Sequence, residues 1–146
     1  MKIKCSVVVP TYFPGDVIKN LLYSLPKVEE IFILDNSNDE NLKKLIDKNF
    51  IEVNYLSTGD IGLGKTFNKA LSIVNTNNIF ITQPDVILKK NCIENLLYAK
   101  SIYKNAGILA PILFENNNYS YYDYLDLKLD KNKNIISRKN KKKIHC

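Results

Sequence analysis

The chain has 146 residues, 45% hydrophobic and 25% charged, which is enough apolar material for one ordinary core. No apolar run approaches the roughly 20 residues that span a bilayer, and Pro10 interrupts the short apolar start, so neither a membrane span nor a secretory signal is predicted. The three cysteines are far apart and include no CxxC pair, which argues against a disulfide framework or a zinc site. We expect a reduced, cytoplasmic protein.

The formal net charge of +6 is concentrated near the end of the chain. Residues 128–143 hold eight of the 21 Lys and Arg residues and one of the 15 acidic residues, so the remainder is about neutral. A basic segment of this kind is usually solvated, and the alternative is contact with anionic lipid or a phosphate-rich partner. The neutral remainder argues against a nucleic-acid partner.

Short apolar runs alternate with segments of helical spacing, which is typical of a parallel sheet covered by helices. The runs predicted as strands are Ile3 to Val9, Glu30 to Leu34, Ile51 to Leu56, Asn78 to Thr82 and Gly107 to Leu113. The helices predicted between and after them are Val17 to Leu25, Leu42 to Asp47, Phe67 to Val74 and Lys89 to Lys104. This order predicts an α/β fold, a mostly parallel sheet with helices on both faces.

The pattern changes after Phe114, where the sequence becomes Asn-rich, then Tyr-rich and finally Lys-rich. A hairpin between Tyr119 to Leu129 and Ile135 to Ser137 is predicted there, and the rest reads as irregular. We therefore expect a domain over residues 1–115 and an irregular tail over residues 116–146.

Ligands of such sheets bind beyond the carboxyl ends of the strands. The residues predicted at these ends are Pro10, Thr11 and Tyr12; Asp35, Asn36, Ser37 and Asn38; Gly59 to Lys65; and Gln83, Pro84 and Asp85. Asp35 and Asn36 suit hydrogen bonds to a base or ribose, and equally the turn and cap before the next helix. Asp85 suits a divalent cation, Mg²⁺ or Mn²⁺, that bridges a diphosphate, and equally a cap near Lys89.

The segment Gly59 to Thr66 satisfies the phosphate-binding pattern G-x-x-x-x-G-K-[ST] between a predicted strand and a predicted helix. A P-loop nucleoside triphosphatase is therefore the main alternative function. Such an enzyme usually places an acidic residue directly at the end of an apolar strand, whereas Thr82, Gln83 and Pro84 precede Asp85 here. A third interpretation is that the glycines only form a flexible turn.

Taken in order, the motifs resemble the family 2 glycosyltransferases of the GT-A fold, and rhamnosyltransferases in particular, over about Lys2 to Phe114. Ser6 to Tyr12 with Pro14 is similar to the family's first strand and the loop around the base. Ile33 to Ser37 is similar to the second-strand acidic motif, whose Asp or Asn residues contact base and ribose.

Two further matches complete the resemblance. Gly62 to Ala70 is similar to the family's glycine-started helix, whose Asn six residues after the glycine corresponds to Asn68. Phe80 to Asp85 lies where the family has D-x-D or N-P-D, with Asp85 at the metal-binding acid and Gln83 in place of the first acid. The resemblance thus implies a cation at Asp85 and a donor nucleotide bound by Pro10, Thr11, Tyr12, Asp35, Asn36, Gly62, Asn68 and Gln83.

The activity implied is an inverting transfer of a hexose from a nucleotide-diphospho-sugar to a saccharide or lipid-linked acceptor in surface polysaccharide synthesis. No residue matches the family's catalytic base, and the single histidine, His145, is two positions from an end of the sequence. We therefore expect either a fragment of a longer enzyme or a truncated gene product, which binds the donor without efficient transfer and contacts the membrane peripherally through the basic tail. A non-catalytic interaction module using Tyr119 to Tyr124 and the tail is the third function class.

Overall fold

The computed structural model describes residues 1–111 together with the strand segments 113–115, 118–120, 125–129 and 135–140. The chain divides into two compact units, Met1–Ile93 and Glu94–Cys146. The domain boundary expected after residue 115 stays a prediction.

A four-stranded parallel sheet forms the first unit, with strands in the order β3-β2-β1-β4. The strands are β1, Ile3–Thr11; β2, Val28–Asp35; β3, Val53–Ser57; and β4, Ile79–Ile81. Each corresponds to a predicted strand whose ends differ from the prediction by at most two residues. The register sets Thr11 beside Asp35 and Asp35 beside Ser57, so three carboxyl ends lie level at one edge of the sheet.

Helices connect the strands and cover both faces of the sheet. They are α1, Ile18–Ser24, preceded by a 3₁₀ turn at Gly15–Val17; α2, Glu40–Asn49; and α3, Leu63–Ile73. The chain passes through α1 and α2 in one direction along the sheet and returns through α3, so right-handed crossovers place α3 on the opposite face. Ala70 of α3 accordingly packs against Val8 and Leu34. The predicted α/β sheet with helices on both faces is confirmed.

The middle of strand β1 does not alternate between apolar and polar residues. Val7, Val8 and Val9 have no exposed surface, although successive side chains of a strand point to opposite faces. Both faces are covered, so every position in the middle of the strand is apolar.

The second unit differs from the sequence expectation. Helix α4, Cys92–Ile102, lies inside the predicted helix, but residues 107–111 form no strand. The predicted fifth strand is therefore wrong over those residues, and its physical reason is that Pro111 has no N–H to donate to a ladder and Gly107 disfavours extended pairing.

Two antiparallel pairs follow α4 in the second unit. They join β5, Leu113–Glu115, to β6, Asn118–Ser120, and β7, Leu125–Leu129, to β8, Ile135–Asn140. The second pair confirms that part of the predicted hairpin, whereas Tyr119 belongs to the first. None of the helices in the described ranges is long and apolar enough to cross a membrane.

Candidate functional site

The site begins where the carboxyl ends of β1, β2 and β3 lie level. The strand order reverses between β1 and β4, since the chain leaves β1 toward β2 and comes back to β4 on the other side. Open α/β sheets bind ligands at such a reversal, beyond the carboxyl ends. The predicted site residues of β1, β2 and β4 therefore share one edge.

Asp35 is the hydrogen-bonding centre of this edge and has no exposed surface. Its Oδ1 accepts from the backbone N–H and the hydroxyl of Ser37, at 2.9 and 2.5 Å. Its Oδ2 accepts from the Tyr55 hydroxyl at 2.6 Å and from the Asp39 backbone N–H at 2.7 Å. The Thr11 hydroxyl lies farther away, 3.4 Å from Oδ1.

These contacts decide the charge of Asp35. Burial opposes ionisation, but the hydrogen bonds from Ser37, Tyr55 and Asp39 outweigh burial and hold the pKa of Asp35 below its ordinary value. Burial and the bond to Asp35 raise the pKa of Tyr55. Asp35 is therefore a carboxylate and Tyr55 a neutral phenol near neutral pH.

The carboxylate of Asp35 orders the loop between β2 and α2. The helix cap itself is Asp39, whose side chain accepts from the Asn41 backbone N–H at 2.9 Å. The turn expected at Asp35 to Ser37 is thus present, but the cap lies at Asp39. The predicted contact between Asp35 and a nucleotide stays a prediction, and both carboxylate oxygens already bind protein groups.

Asn36 joins three of the strand-end loops. Its backbone N–H donates to the Thr11 carbonyl at 2.9 Å, and its Oδ1 lies 2.8 Å from the hydroxyls of both Thr58 and Thr66. The residue is 8% exposed. Within the described part of the chain no buried side-chain N or O atom lacks a partner, so the other amide atom of Asn36, which has none, faces the surface.

An exposed aromatic pair directly follows Thr11, whose carbonyl accepts the Asn36 N–H. The rings of Tyr12 and Phe13 meet edge to face with centroids 5.0 Å apart, and both residues are more than half exposed. Phe13 has a left-handed backbone, φ 45°, held by a hydrogen bond from its N–H to the Ser37 hydroxyl. Strained backbone held by neighbours is frequent at binding sites. Sequence reasoning predicted Tyr12 and missed Phe13, although two aromatics between Pro10 and Pro14 were a signal.

The loop before α3 is tied to the loop after β2. Asn38 Oδ1 accepts from the Gly59 backbone N–H at 3.1 Å and from the Ser57 hydroxyl. Gly62 begins α3 with φ 77° and ψ 155°, a conformation almost confined to glycine. Asn68 lies exposed on α3.

The hydroxyl of Thr66 bears on the P-loop alternative. Thr66 has no exposed surface, and its hydroxyl oxygen lies 3.0 Å from the Gly62 carbonyl as well as beside Asn36. A P-loop enzyme needs this hydroxyl on Mg²⁺. Here the hydroxyl is turned into the protein, so the sequence pattern lacks its metal ligand.

The β4 end presents Gln83 and Asp85, both exposed. A hydrogen bond from the Val86 N–H to the Gln83 carbonyl, 3.3 Å, closes a turn there. Asp85 has no hydrogen-bond partner within residues 1–111, so it does not cap α4. No bond in this part of the chain joins Gln83, Asp85 or Asn68 to the group around Asn36.

The predicted cation at Asp85 stays a prediction, and the described residues supply no complete set of ligands for it. Among the described residues no three His, Cys, Asp or Glu side chains could hold a metal ion. Mg²⁺ commonly takes one or two carboxylates together with substrate phosphates and water. Asp85 alone fits such a cation only when a diphosphate supplies further oxygens.

The solved structures that are similar to the chain include two of TarS and one of a synthase. S. aureus TarS 1-349 is 26% identical with a TM-score of 0.57, and the match covers 70% of this chain and 33% of that one. TarS 1-349 in complex with UDP-GlcNAc is 24% identical, with a TM-score of 0.56 and coverage of 79% and 39%. A 4-diphosphocytidyl-2C-methyl-D-erythritol synthase is 14% identical, with a TM-score of 0.58 and coverage of 96% and 70%. The last two likenesses show the fold alone.

The chain spans about a third of the length of TarS 1-349. No curated protein matches the sequence. The model of the family described as glycosyl transferase family 2 matches residues 6–146, which is nearly the whole chain. The match includes every strand-end residue described above, and the chain belongs to glycosyl transferase family 2.

Proposed function

We propose that the chain binds the nucleotide-diphospho-sugar donor of a glycosyltransferase that acts on a saccharide or lipid-linked acceptor. The observation that carries the proposal is that the loop with the nearly buried Asn36 and the loop with the exposed Tyr12–Phe13 pair are hydrogen-bonded to each other at the carboxyl edge of the sheet, through Asn36 N–H to the Thr11 carbonyl and Phe13 N–H to the Ser37 hydroxyl. An apolar ring surface next to one oriented polar group suits a nucleobase. TarS 1-349, to which the chain is 26% identical, has also been solved in complex with UDP-GlcNAc, and the ligand of that protein supports a nucleotide-sugar ligand here.

Different site residues are proposed to contact the base, the sugar and the diphosphate of the donor. Tyr12 and Phe13 offer ring faces and edges to the base, and Asn36 offers one hydrogen-bonding atom to its edge. Pro10 and Thr11 hold the β1 end, with Thr11 accepting the Asn36 N–H. Gly62 and Asn68 shape the loop and helix beside the sugar, and Gln83 with Asp85 flanks the diphosphate.

The proposed reaction is a single displacement with inversion. The acceptor oxygen forms a bond to the anomeric carbon of a hexose, and the bond from that carbon to the diphosphate breaks. The acceptor proton passes to a general base, which we assign to no residue of this chain. A divalent cation held by Asp85 and the diphosphate would offset negative charge on the leaving group.

The proposed setting is surface polysaccharide synthesis in the cytoplasm or at the inner face of the membrane. Residues 128–143 carry the excess positive charge of the chain. Basic segments bind anionic lipid headgroups electrostatically. Contact of this segment with the membrane would bring the donor site near a lipid-linked acceptor.

The test is calorimetric titration of the chain with UDP, dTDP, GDP and ATP, with and without Mn²⁺. Preference for one nucleoside diphosphate, strengthened by Mn²⁺, is expected. Asp85→Ala should remove the Mn²⁺ effect, and Asp47→Ala, an exposed carboxylate of α2, should keep it. An unchanged Mn²⁺ effect in Asp85→Ala removes Asp85 from the site.

Two other outcomes contradict the proposal. Preference for ATP with Mg²⁺, abolished by Lys65→Ala, favours the nucleoside triphosphatase. Binding of no nucleotide by the folded chain favours the non-catalytic interaction module. The donor proposal predicts only a modest effect of Lys65→Ala, because Lys65 is exposed on α3 and Asn36 does not depend on it.

A further inference from the structure

The amide of Asn36 lies between two hydroxyls that each have more than one acceptor within reach. The Thr66 hydroxyl oxygen is 2.8 Å from Asn36 Oδ1 and 3.0 Å from the Gly62 carbonyl. The Thr58 hydroxyl oxygen is 2.8 Å from Asn36 Oδ1, 3.0 Å from the Asp35 carbonyl and 3.3 Å from the Gly59 carbonyl. The Gly62 and Asp35 carbonyls also accept the backbone N–H groups of Thr66 and Thr58. With Oδ1 inward, each hydroxyl donates its one proton to Oδ1, and the amide makes two hydrogen bonds with the protein.

Turning the amide by half a rotation adds two hydrogen bonds. Nδ2 then lies inward and donates one proton to each threonine oxygen, while Thr58 donates to the Asp35 carbonyl and Thr66 to the Gly62 carbonyl. Four protons make four hydrogen bonds at the same heavy-atom distances, since the amide oxygen and nitrogen are nearly equal in size. Four hydrogen bonds against two favour the orientation with Nδ2 inward and Oδ1 outward.

The outward atom is the one that a ligand meets. Asn36 is nearly buried, and its amide atom without a protein partner reaches the surface. With Nδ2 engaged by two hydroxyls, this atom is an oxygen and accepts hydrogen bonds only. Because the two hydroxyls hold Oδ1 outward, Oδ1 favours a ligand atom that donates a hydrogen bond. A ligand atom with a lone pair at that position would leave both itself and Oδ1 without a hydrogen bond.

We propose that Thr58 and Thr66 are positioning residues that fix Asn36 as an acceptor and so determine which base the site takes. This inference rests on the proposed function and deepens it. Uracil and thymine carry an N–H at ring position 3, whereas cytosine has a lone pair there. Among the pyrimidine nucleotides, a site in which Asn36 faces ring position 3 therefore takes uridine or thymidine diphospho-sugars and discriminates against cytidine diphospho-sugars.

The first test compares the dissociation constants of UDP and CDP on the full chain. UDP should bind about tenfold more tightly than CDP, the effect of one unpaired hydrogen-bonding group. Thr66→Val removes the hydroxyl at nearly constant volume and lets the amide turn, so the UDP-to-CDP preference should fall toward one. Thr66→Ser keeps the hydroxyl and should keep the preference, and Thr58→Val and Thr58→Ser should behave alike.

A second variant separates orientation from packing. In Asn36→Asp both terminal atoms are oxygens, so the outward atom accepts whichever way the group turns. Asn36→Asp should keep the UDP preference, and adding Thr66→Val to it should leave that preference unchanged. An equal loss of preference in both backgrounds would show a packing effect of Thr66→Val and overturn the positioning role.

A third measurement needs no nucleotide. Both side-chain amide protons of Asn36 should exchange slowly with solvent by NMR, in contrast to those of the exposed Asn20, and Thr66→Val should accelerate the exchange. Fast exchange in the wild type, or equal affinity for UDP and CDP, overturns the inference. Slow exchange in a chain that binds no nucleoside diphosphate contradicts the proposed function and the base selection, while the amide orientation stands.

Discussion

The Tyr55 hydroxyl donates a 2.6 Å hydrogen bond to Oδ2 of Asp35 across two neighbouring strands. Tyr55 pairs with Ile33 in the register, and Asp35 is the next residue of β2 on the same face. The phenol can therefore reach the carboxylate diagonally. The pKa of Asp35 lies below its ordinary value and the pKa of Tyr55 lies above its ordinary value. The carboxylate and the neutral phenol therefore persist, and with them the hydrogen bond, across a wide range of pH.

Tyr55→Phe should lower the free energy of unfolding in urea by about 2 kcal/mol near neutral pH, since it removes a hydrogen bond to a charged group. The folded pKa of Tyr55 lies above its unfolded value of 10.0, so this stabilisation is present below about pH 10 and is lost at higher pH. The wild-type advantage should shrink there. Tyr23→Phe, on an exposed ring, should change little. A constant difference between wild type and Tyr55→Phe up to pH 11 would contradict the assignment.

Asp35→Asn should destabilise the chain by about 3 kcal/mol or more. The amide NH₂ replaces a carboxylate oxygen that accepts hydrogen bonds, so a donor then faces another donor. The folded pKa of Asp35 lies below its ordinary value of 3.8. Its contribution is therefore present above about pH 4 and is lost as the pH falls through the folded pKa. Urea unfolding against pH measures both effects. Asp47→Asn on the exposed side of α2 serves as the control, and a loss below about 1 kcal/mol for Asp35→Asn would contradict the role.

The sequence predicted the sheet well because its strands are short apolar runs with turn residues between them. It also predicted that Asp35 and Asn36 lie at a strand end. It could not separate their roles, because the partners that do so, Tyr55 and Thr66, lie 20 and 30 residues farther along the chain. Local patterns hold no information on such contacts. The alternation of side chains along β2 predicts that Asp35 and Asn36 point to opposite faces of the sheet. It does not predict which residues they bind there.

The fifth predicted strand is an element that the sequence predicted and the structure lacks over residues 107–111. The run from Gly107 to Leu113 is apolar enough for a strand, and periodicity alone does not separate a strand from an apolar loop. Pro111 was the available signal, because a proline inside a central strand removes a ladder bond. The irregular tail expected over residues 116–146 contains the β7–β8 pair, whose pairing is long-range and weakly patterned.

Glu30→Gln should weaken the amino end of the sheet. The Glu30 carboxylate accepts from the Ser6 hydroxyl at 2.6 Å and from the backbone and side chain of Asn75 at 3.0 and 2.8 Å. The Ser6 hydroxyl and then the Asn75 groups hold the pKa of Glu30 below its ordinary 4.5. Its contribution is thus present above about pH 4.5 and is lost as the pH falls.

Thermal unfolding from pH 3 to 7 tests this contribution. The midpoint of Glu30→Gln should lie below that of wild type at pH 7, and the two should converge in acid. Glu29→Gln, an exposed neighbour on the same strand, should follow the wild type throughout. A gap that stays constant in acid would assign the loss to packing.

Gly62→Ala tests the start of α3. The backbone of Gly62, φ 77° and ψ 155°, is accessible almost only to glycine, and an added Cβ would meet no atom within 4 Å. The expected loss of about 1–3 kcal/mol in urea unfolding is therefore backbone strain alone. Gly64→Ala is the matched control, since Gly64 lies inside α3 with open space around it and alanine is the better helix former. This variant should be neutral or up to about 1 kcal/mol more stable.

Gly62 also supplies the carbonyl next to the Thr66 hydroxyl. Relaxation of the strain by movement of this turn would therefore disturb Asn36 as well. Gly62→Ala should then weaken nucleotide binding while Gly64→Ala keeps it, and equal stability of the two variants would contradict the strained conformation.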